Sequence, residues 1–172
     1  ARCHVNFRWI LDYSGGQLTD WGGHHPDIAQ WGMGTELTGP VEIRNARGKW
    51  AADGLYNTAT EFTFEAIYAN GVRMVVSNRS RGGVTFEGSD GMVWVNRGAI
   101  ESKPDHLIYS DIADNEIHLY ESENHFRNFI DCVLSRKQPV SPIEETHRSI
   151  TIAHLGNIAL KLGRDLKWDP AA

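Results

Sequence analysis

No apolar run in this 172-residue chain approaches the ~20 residues that cross a bilayer as a helix, so no membrane-spanning helix is expected. No secretory leader is visible at Ala1. Cysteine is scarce. Cys3 and Cys132 stand far apart and fit no zinc-ligand spacing, so two free thiols are expected. Positive charge is in deficit: 17 Lys and Arg against 22 Asp and Glu give a formal net charge of -5. A phosphate backbone needs a concentrated basic face, and no basic run with interleaved aromatics supplies one. Nucleic acid is thereby excluded as the main partner. Internal repeats and low-complexity linkers are absent. So is an initiator methionine. The chain opens abruptly on ARCHVNFRW, which leads us to expect a missing N-terminal segment and, with it, any targeting information. A cytoplasmic location is the expectation; a periplasmic export signal would have gone with that segment.

What the chain does have is globular proportion. Hydrophobic residues make up 41% and charged residues 23%, at a length suited to one domain with a sizeable core. Val5 to Ile10 reads as extended. A helix is predicted from about Gln17 to Met33, with Ser14 and Gln17 at capping-box spacing. The middle of the chain is strand-rich. Pro40 to Arg47 alternates apolar and polar residues. Glu61 to Asn78 reads as a hairpin with Phe62, Phe64, Ala66 and Tyr68 on one face and a type I′ turn at Asn70-Gly71. Gly83 to Asn96 repeats the logic with Asp90-Gly91 at the turn. Met92 to Val95 is apolar on both faces, which predicts a strand covered on both sides. The last third is helical. Phe126, Phe129, Ile130, Val133 and Leu134 make one stripe on a helix from near Ser122 to before Pro139. A second helix is predicted with Ser141 as N-cap, Pro142 in the first turn, Glu144 completing a capping box and a stop at Gly163. DLKWDP then reads as a short extended exit. Together these predict an α+β fold: a mainly antiparallel open sheet with helices on one face, the other face covered by self-association.

The stretch SGGQLTDWGGHHPDIAQW (Ser14 to Trp31) carries the densest chemistry. On a single helix, at about 100° per residue, Asp20, His24 and Asp27 share one face. Leu18, Trp21, His25 and Ile28 fall on a different, mostly apolar face. A carboxylate beside an imidazole is how an acid/base histidine is held in one tautomer. Adjacent histidines on a helix diverge, so a two-histidine metal site fits poorly. Gly22 and Gly23 leave the helix thin near His24, and Pro26 predicts a kink near Gly22. A blander reading stands beside this one. In it Asp20 and Asp27 satisfy backbone donors, and His25 is a packed, hydrogen-bonded core histidine.

The segment FRWILDYSGGQLTDWGGHHPDIAQWGMG (Phe7 to Gly34) resembles the start of the C-terminal domain in the Gfo/Idh/MocA family of NAD(P)-dependent oxidoreductases. The family pattern is a Gly-Gly pair, then Asp-x-x-x-His-x-x-Asp, then a Trp-containing helix end. Gly15, Gly16, Asp20, His24, Asp27 and Trp31 match it. Arg97-Gly98 after the second hairpin, the helix from Ser141 and the closing GRDLKWDP extend the resemblance over essentially the whole chain. The resemblance implies that His24 is the acid/base histidine, or its close partner in proton transfer at a substrate hydroxyl. Asp20 would lie beside it in the pocket. The substrate implied is a sugar or polyol. The NAD or NADP cofactor, and a lysine that completes the site, are implied to belong to an N-terminal dinucleotide-binding domain. That domain is absent here, since no G-x-G-x-x-G follows a strand. Neither cofactor is therefore expected to bind this chain alone, and the isolated chain is expected to be inactive. ESKP (Glu101 to Pro104) looks like the lysine motif but follows a β-hairpin, so Lys103 is read as a loop lysine. Pro26 departs from the pattern, where an aliphatic residue is more usual.

Four residues ahead of the motif could line the same pocket as Asp27. Arg8 or Asp12 could hydrogen-bond sugar hydroxyls, and Trp9 or Tyr13 could stack on a sugar face. Their alternative is an Asp12 turn cap over packed aromatics. His147 and His154 share a helix face and read as surface polar contacts. Met92 to Val95, with Trp94, reads as an oligomer interface, because the family typically associates through this sheet. Two rival functions remain open. One is a stand-alone sugar-binding or scaffold module. The other is a metal-dependent hydrolase using Asp20, His24, His25 and Asp27, which the divergence of the histidines disfavours.

Overall fold

The computed structural model describes residues 2–51 and 53–171. Two short helices, α1 (Gln17–Gly22) and α2 (His25–Met33), follow a 3-10 turn at His4–Trp9. Six strands come next: β1 (Glu42–Trp50), β2 (Ala59–Ile67), β3 (Arg73–Ser77), β4 (Val84–Gly88), β5 (Gly91–Asn96) and β6 (Ala99–Lys103). A second 3-10 turn, Asp105–Tyr109, precedes α3 (His125–Ser135), α4 (Ile143–Leu162) and a two-residue strand β7 (Leu166–Lys167). The fold is α+β with antiparallel strands, as expected. Those strands are divided between two sheets, of order β3-β2-β1-β7 and β4-β5-β6.

The core lies between the four-stranded sheet and the helices. Alternation along β2 sends Phe62, Phe64, Ala66 and Tyr68 inward, where they meet Leu18 of α1 and Ile152, Ala153, Leu155 and Ala159 of α4. The opposite face of the same sheet is a ladder of ion pairs. Arg73 meets Glu65, and both Lys49 and Arg79 meet Glu61. In the smaller sheet the apolar strand Met92–Val95 finds part of its cover inside its own chain. The Arg81 guanidinium lies 3.4 Å from the centroid of the Trp94 ring, and the indole N–H donates to the Gly82 carbonyl.

Several local expectations need correction. Val5 to Ile10 is not extended. It forms the 3-10 turn, in which Val5 and Phe7 are exposed, so their alternation is not that of a strand. The helix predicted over 17–33 is two helices broken at Gly23-His24. Pro26, awkward inside one helix, sits in the first turn of α2, where its missing N–H costs nothing. The Asn70-Gly71 turn is not type I′. Only Gly71 has positive φ, at 88°, and the Tyr68 N–H donates to the Val72 carbonyl, which closes a three-residue loop. In the second hairpin Gly88 pairs with Gly91, so the turn residues are Ser89-Asp90, one position earlier than expected. Ser141 does not cap α4. The N-cap falls one residue later, on Pro142, with no side-chain cap, the helix begins at Ile143, and Glu144 pairs with Arg148. Gly163 does end α4, in the left-handed conformation, and β7 leaves it to pair with β1. Both cysteines are free thiols. Among the described residues no helix is long and apolar enough to cross a membrane.

Candidate active site

The break between α1 and α2 builds the site. Asp20 and Trp21 occupy the last turn of α1, His24 is the exposed junction residue and His25 opens α2. Trp21 is 41% exposed although its helix is packed, because the break turns its indole outward. Four cations or proton carriers surround this turn. The His24 ring stands edge-on to Trp21 at 6.0 Å, the His25 ring tilts over it at 5.2 Å, and the Arg97 guanidinium lies 5.2 Å from its centroid. Arg8, from the 3-10 turn, donates to Asp20 at 2.9 Å. The two histidines thus border one indole.

His25 is the better characterised of the pair. Its ring has a side-chain hydrogen bond with Asn96, as the packed reading requires, but its Nε2 is buried without a hydrogen-bond partner. Burial holds its pKa below the ordinary histidine value. The Asn96 side chain works the other way, while the positive charges of His24 and Arg97 lower it further. His25 faces a cleft of about 830 Å³ between α1–α2 and the facing edges of β3 and β4, shared with Trp21, Met33, Met74, Phe86 and Asn96. A neutral imidazole with a free nitrogen can accept or donate one hydrogen bond there.

The other expected residues are distributed. Asp20, His24 and Asp27 do not share a helix face, because the helix is broken between them. Asp20 is taken by Arg8, and no hydrogen bond joins it to His24 among the described residues. Asp27 turns to α4, where it accepts from the Ser149 hydroxyl at 2.6 Å. Nearby Glu145 has its carboxyl pKa raised, by burial first and then by the charges of Glu36 and Asp27. Asp12 and Tyr13 line a separate hollow of about 410 Å³ with Trp50, His154, Asn157 and Lys161. Trp9 contributes its carbonyl to Asn57 N–H. Lys103 ends strand β6 opposite Met92 and is not a loop residue. Among the described residues no group of three or more His, Cys, Asp or Glu could hold a metal.

Sequence reasoning missed Asn96 and Arg97 as neighbours of the histidines. The Asn96-Arg97-Gly98 run at a strand end, with positive φ at Gly98, is a turn signal that marks an exposed presentation point. Nothing local says which helix it faces.

An antiparallel α+β domain with a polar cluster at a helix break is the class of molecule that emerges. Over residues 1–172 it matches the model of an oxidoreductase family's C-terminal alpha/beta domain, and the chain belongs to that family, Gfo/Idh/MocA. It is similar to the solved structure of an NAD-binding protein from Listeria innocua, at 14% identity and a TM-score of 0.65, covering 96% of this chain and 55% of that one. It is also similar to an aldose-aldose oxidoreductase from Caulobacter crescentus complexed with glycerol, at 15% identity and a TM-score of 0.59, covering 95% of this chain and 51% of that one. At these identities the likeness is one of fold. The chain spans about half the length of these solved structures. No curated protein matches it.

The residues present do not fit a dinucleotide. A pyrophosphate is held where a parallel strand runs through a glycine turn into a helix N-terminus. Every strand pairing among the described residues is antiparallel, and no strand leads through such a turn into an α-helix.

Proposed function

We propose that this chain is the substrate-binding and catalytic half of an NAD(P)-dependent oxidoreductase that moves a hydride to or from a sugar- or polyol-like substrate. The observation that carries the reading is the exposed Trp21 indole ringed by His24, His25 and Arg97. An indole face offers apolar area to the C–H face of a sugar, and the polar groups at its rim offer hydrogen bonds to hydroxyls. The Caulobacter relative in fold, an aldose-aldose oxidoreductase, was solved with a polyol, glycerol, which supports this substrate class.

In this reading His24 takes the hydroxyl proton from the substrate carbinol in oxidation and returns it in reduction, a task suited to an imidazole near neutral pH. Arg8 donates to one oxygen of Asp20 and so positions the carboxylate, whose other oxygen can accept from a second hydroxyl. The hydride acceptor has no seat on this chain and is assigned to a separate dinucleotide-binding domain, so the chain alone turns nothing over.

A second reading, a sugar-binding module without chemistry, has one observation in its favour: Asp20 pairs with Arg8 and leaves His24 without an orienting carboxylate. One experiment separates the two. The complete reading frame that contains this chain is expressed and assayed with NAD⁺ or NADP⁺ against a polyol and aldose panel. His24→Asn is expected to lower kcat by about 10²- to 10⁴-fold, the usual worth of an acid/base group. Trp21→Ala is expected to act mainly through KM. Undiminished kcat in His24→Asn, or robust turnover by the 172-residue chain alone, would defeat the enzyme reading as stated.

A further inference from the structure

The β5–β6 hairpin closes on two residues. Asn96 pairs with Ala99, so Arg97 and Gly98 alone make the turn, and Gly98 supplies the positive φ, 72°, that so tight a turn needs. Asn96 fixes the turn in place. Its side-chain oxygen accepts from the Arg97 N–H at 2.8 Å, and the same side chain has a hydrogen bond with His25 of α2. The tip of the smaller sheet is thereby tied to the helix layer. The Arg97 guanidinium is presented over Trp21, 5.2 Å from the ring centroid. An arginine held over an aromatic face keeps the N–H fork along its edge free to take a planar anion.

Charge decides which ligand group belongs there. The chain as a whole carries a net charge of -5, yet the surroundings of Trp21 do not share that excess. Asp20 is matched by Arg8 at 2.9 Å, and Asp27 is turned away to Ser149. Arg73 and Arg81, which line the cleft beside Trp21, are paired with Glu65 and Glu101. Among the described residues Glu87 is the one carboxylate lining that cleft. It sits opposite Met92, four residues along β5 from Asn96, which is about 13 Å of strand. Arg97 has no carboxylate partner among the described residues. The result is one unmatched positive charge beside an exposed indole and two imidazoles. A carboxylate matches a lone guanidinium both in charge and in its two-oxygen geometry. A phosphate group at neutral pH carries about -1.5 to -2 and would need a second cation.

We infer that Arg97 selects an acidic substrate, a polyhydroxy carboxylate of the aldonate type, with its carboxylate on Arg97, its C–H face on Trp21 and a carbinol at His24. This rests on the functional reading above and narrows its substrate class. The site then tells the two ends of the substrate apart by charge, because Asp20 accepts from hydroxyls and repels a carboxylate.

Binding, read apart from turnover, tests the inference. The product of the complete reading frame that contains this chain is titrated by calorimetry with gluconate against glucitol and with galactonate against galactitol. Each pair differs only by a carboxylate in place of a terminal hydroxymethyl group. The titrations are made without nucleotide and with saturating NADH or NADPH, to which a carbinol cannot pass a hydride. At least one acid is expected to bind about tenfold or more tightly than its alditol, the worth of one charge-assisted contact. Arg97→Gln should bring that acid down to the level of its alditol and leave the alditol within about twofold. Arg97→Lys, which keeps the charge and loses the fork, should retain part of the preference. Arg97 is exposed at a hairpin tip, so both variants are expected to fold. Trp21→Ala should weaken acid and alditol alike. Three outcomes overturn the inference: no preference for either acid over its alditol, a preference that survives Arg97→Gln, or inorganic phosphate displacing the acid at equal concentration. A preference lost in Arg97→Gln, in a protein that oxidises none of the four, would sink the oxidoreductase reading and leave the anion site standing. Oxidation of the alditols with no preference for the acids would do the reverse.

Discussion

The Ser149 hydroxyl donates to the Asp27 carboxylate at 2.6 Å, joining α4 to α2 across 122 residues of sequence. The motif aspartate therefore faces the helix layer. Ser149 is buried and Asp27 partly so, and removing the donor leaves the acceptor half-desolvated without a partner. Ser149→Ala is expected to cost about 1–3 kcal/mol in denaturant unfolding. A loss below measurement error would mean that water replaces the hydroxyl at no penalty.

The same contact gathers negative charge. Glu145 has a raised carboxyl pKa, from burial first and then from Glu36 and Asp27. The folded state penalises its ionised form. At neutral pH Glu145→Gln is therefore expected to raise the melting temperature. As pH falls through the raised folded value, the native wild-type carboxyl takes up its proton before the unfolded one does, and the advantage of the variant shrinks. An advantage that grew on acidification would contradict the assignment.

His25 offers a direct titration. Burial, His24 and Arg97 lower its pKa and the Asn96 side chain raises it. In an NMR titration its midpoint is expected below 6.5, the value of an unperturbed histidine. Arg97→Ala should move the midpoint up, and Asn96→Ala should move it down. The sign for stability follows from the depressed folded pKa. The contribution of His25 is fully present above the unfolded value and is lost as pH falls towards the folded one. His25→Gln should thus flatten the acid side of the stability profile.

Gly156 lets α4 approach the sheet. A Cβ at this position would stand 2.4 Å from the Phe64 ring, which is itself fully buried. Gly156→Ala gains helix propensity but overpacks the core. A net destabilisation of about 1–3 kcal/mol is expected, larger than the roughly 1 kcal/mol that alanine adds in a helix interior. Gly156→Ala combined with Phe64→Leu should recover part of the loss.

The contrast between what could and could not be read from sequence has a simple physical basis. Strand alternation in β2 and the stripe on α3 are local periodicities, and both were legible. The family motif was legible as well, since it is a run of contiguous residues. The break at Gly23-His24 was less so. Pro26 is compatible both with a kinked helix and with the first turn of a new one, and only packing chooses between them. The 3-10 turn at His4–Trp9 was misread because Val5, Phe7 and Trp9 imitate strand alternation. The site contacts Arg97–Trp21, Arg8–Asp20 and Ser149–Asp27 are tertiary and leave no trace in local spacing. The apolar side of α3 was legible as a stripe; that it stands largely exposed among the described residues could be seen only after the fold was known.

The placement of Trp94 decides what light can report about this molecule. Of the six tryptophans it is the one fully enclosed, 7% exposed beneath Arg81, and it belongs to the three-stranded sheet. The Phe64 core lies elsewhere, and the two sheets share no paired strand. Emission is therefore expected to follow the small sheet chiefly, while far-ultraviolet dichroism follows helices dominated by α4. If the two sheets come apart at different denaturant concentrations, the two optical signals will separate, and their coincidence would show that the molecule melts as one body.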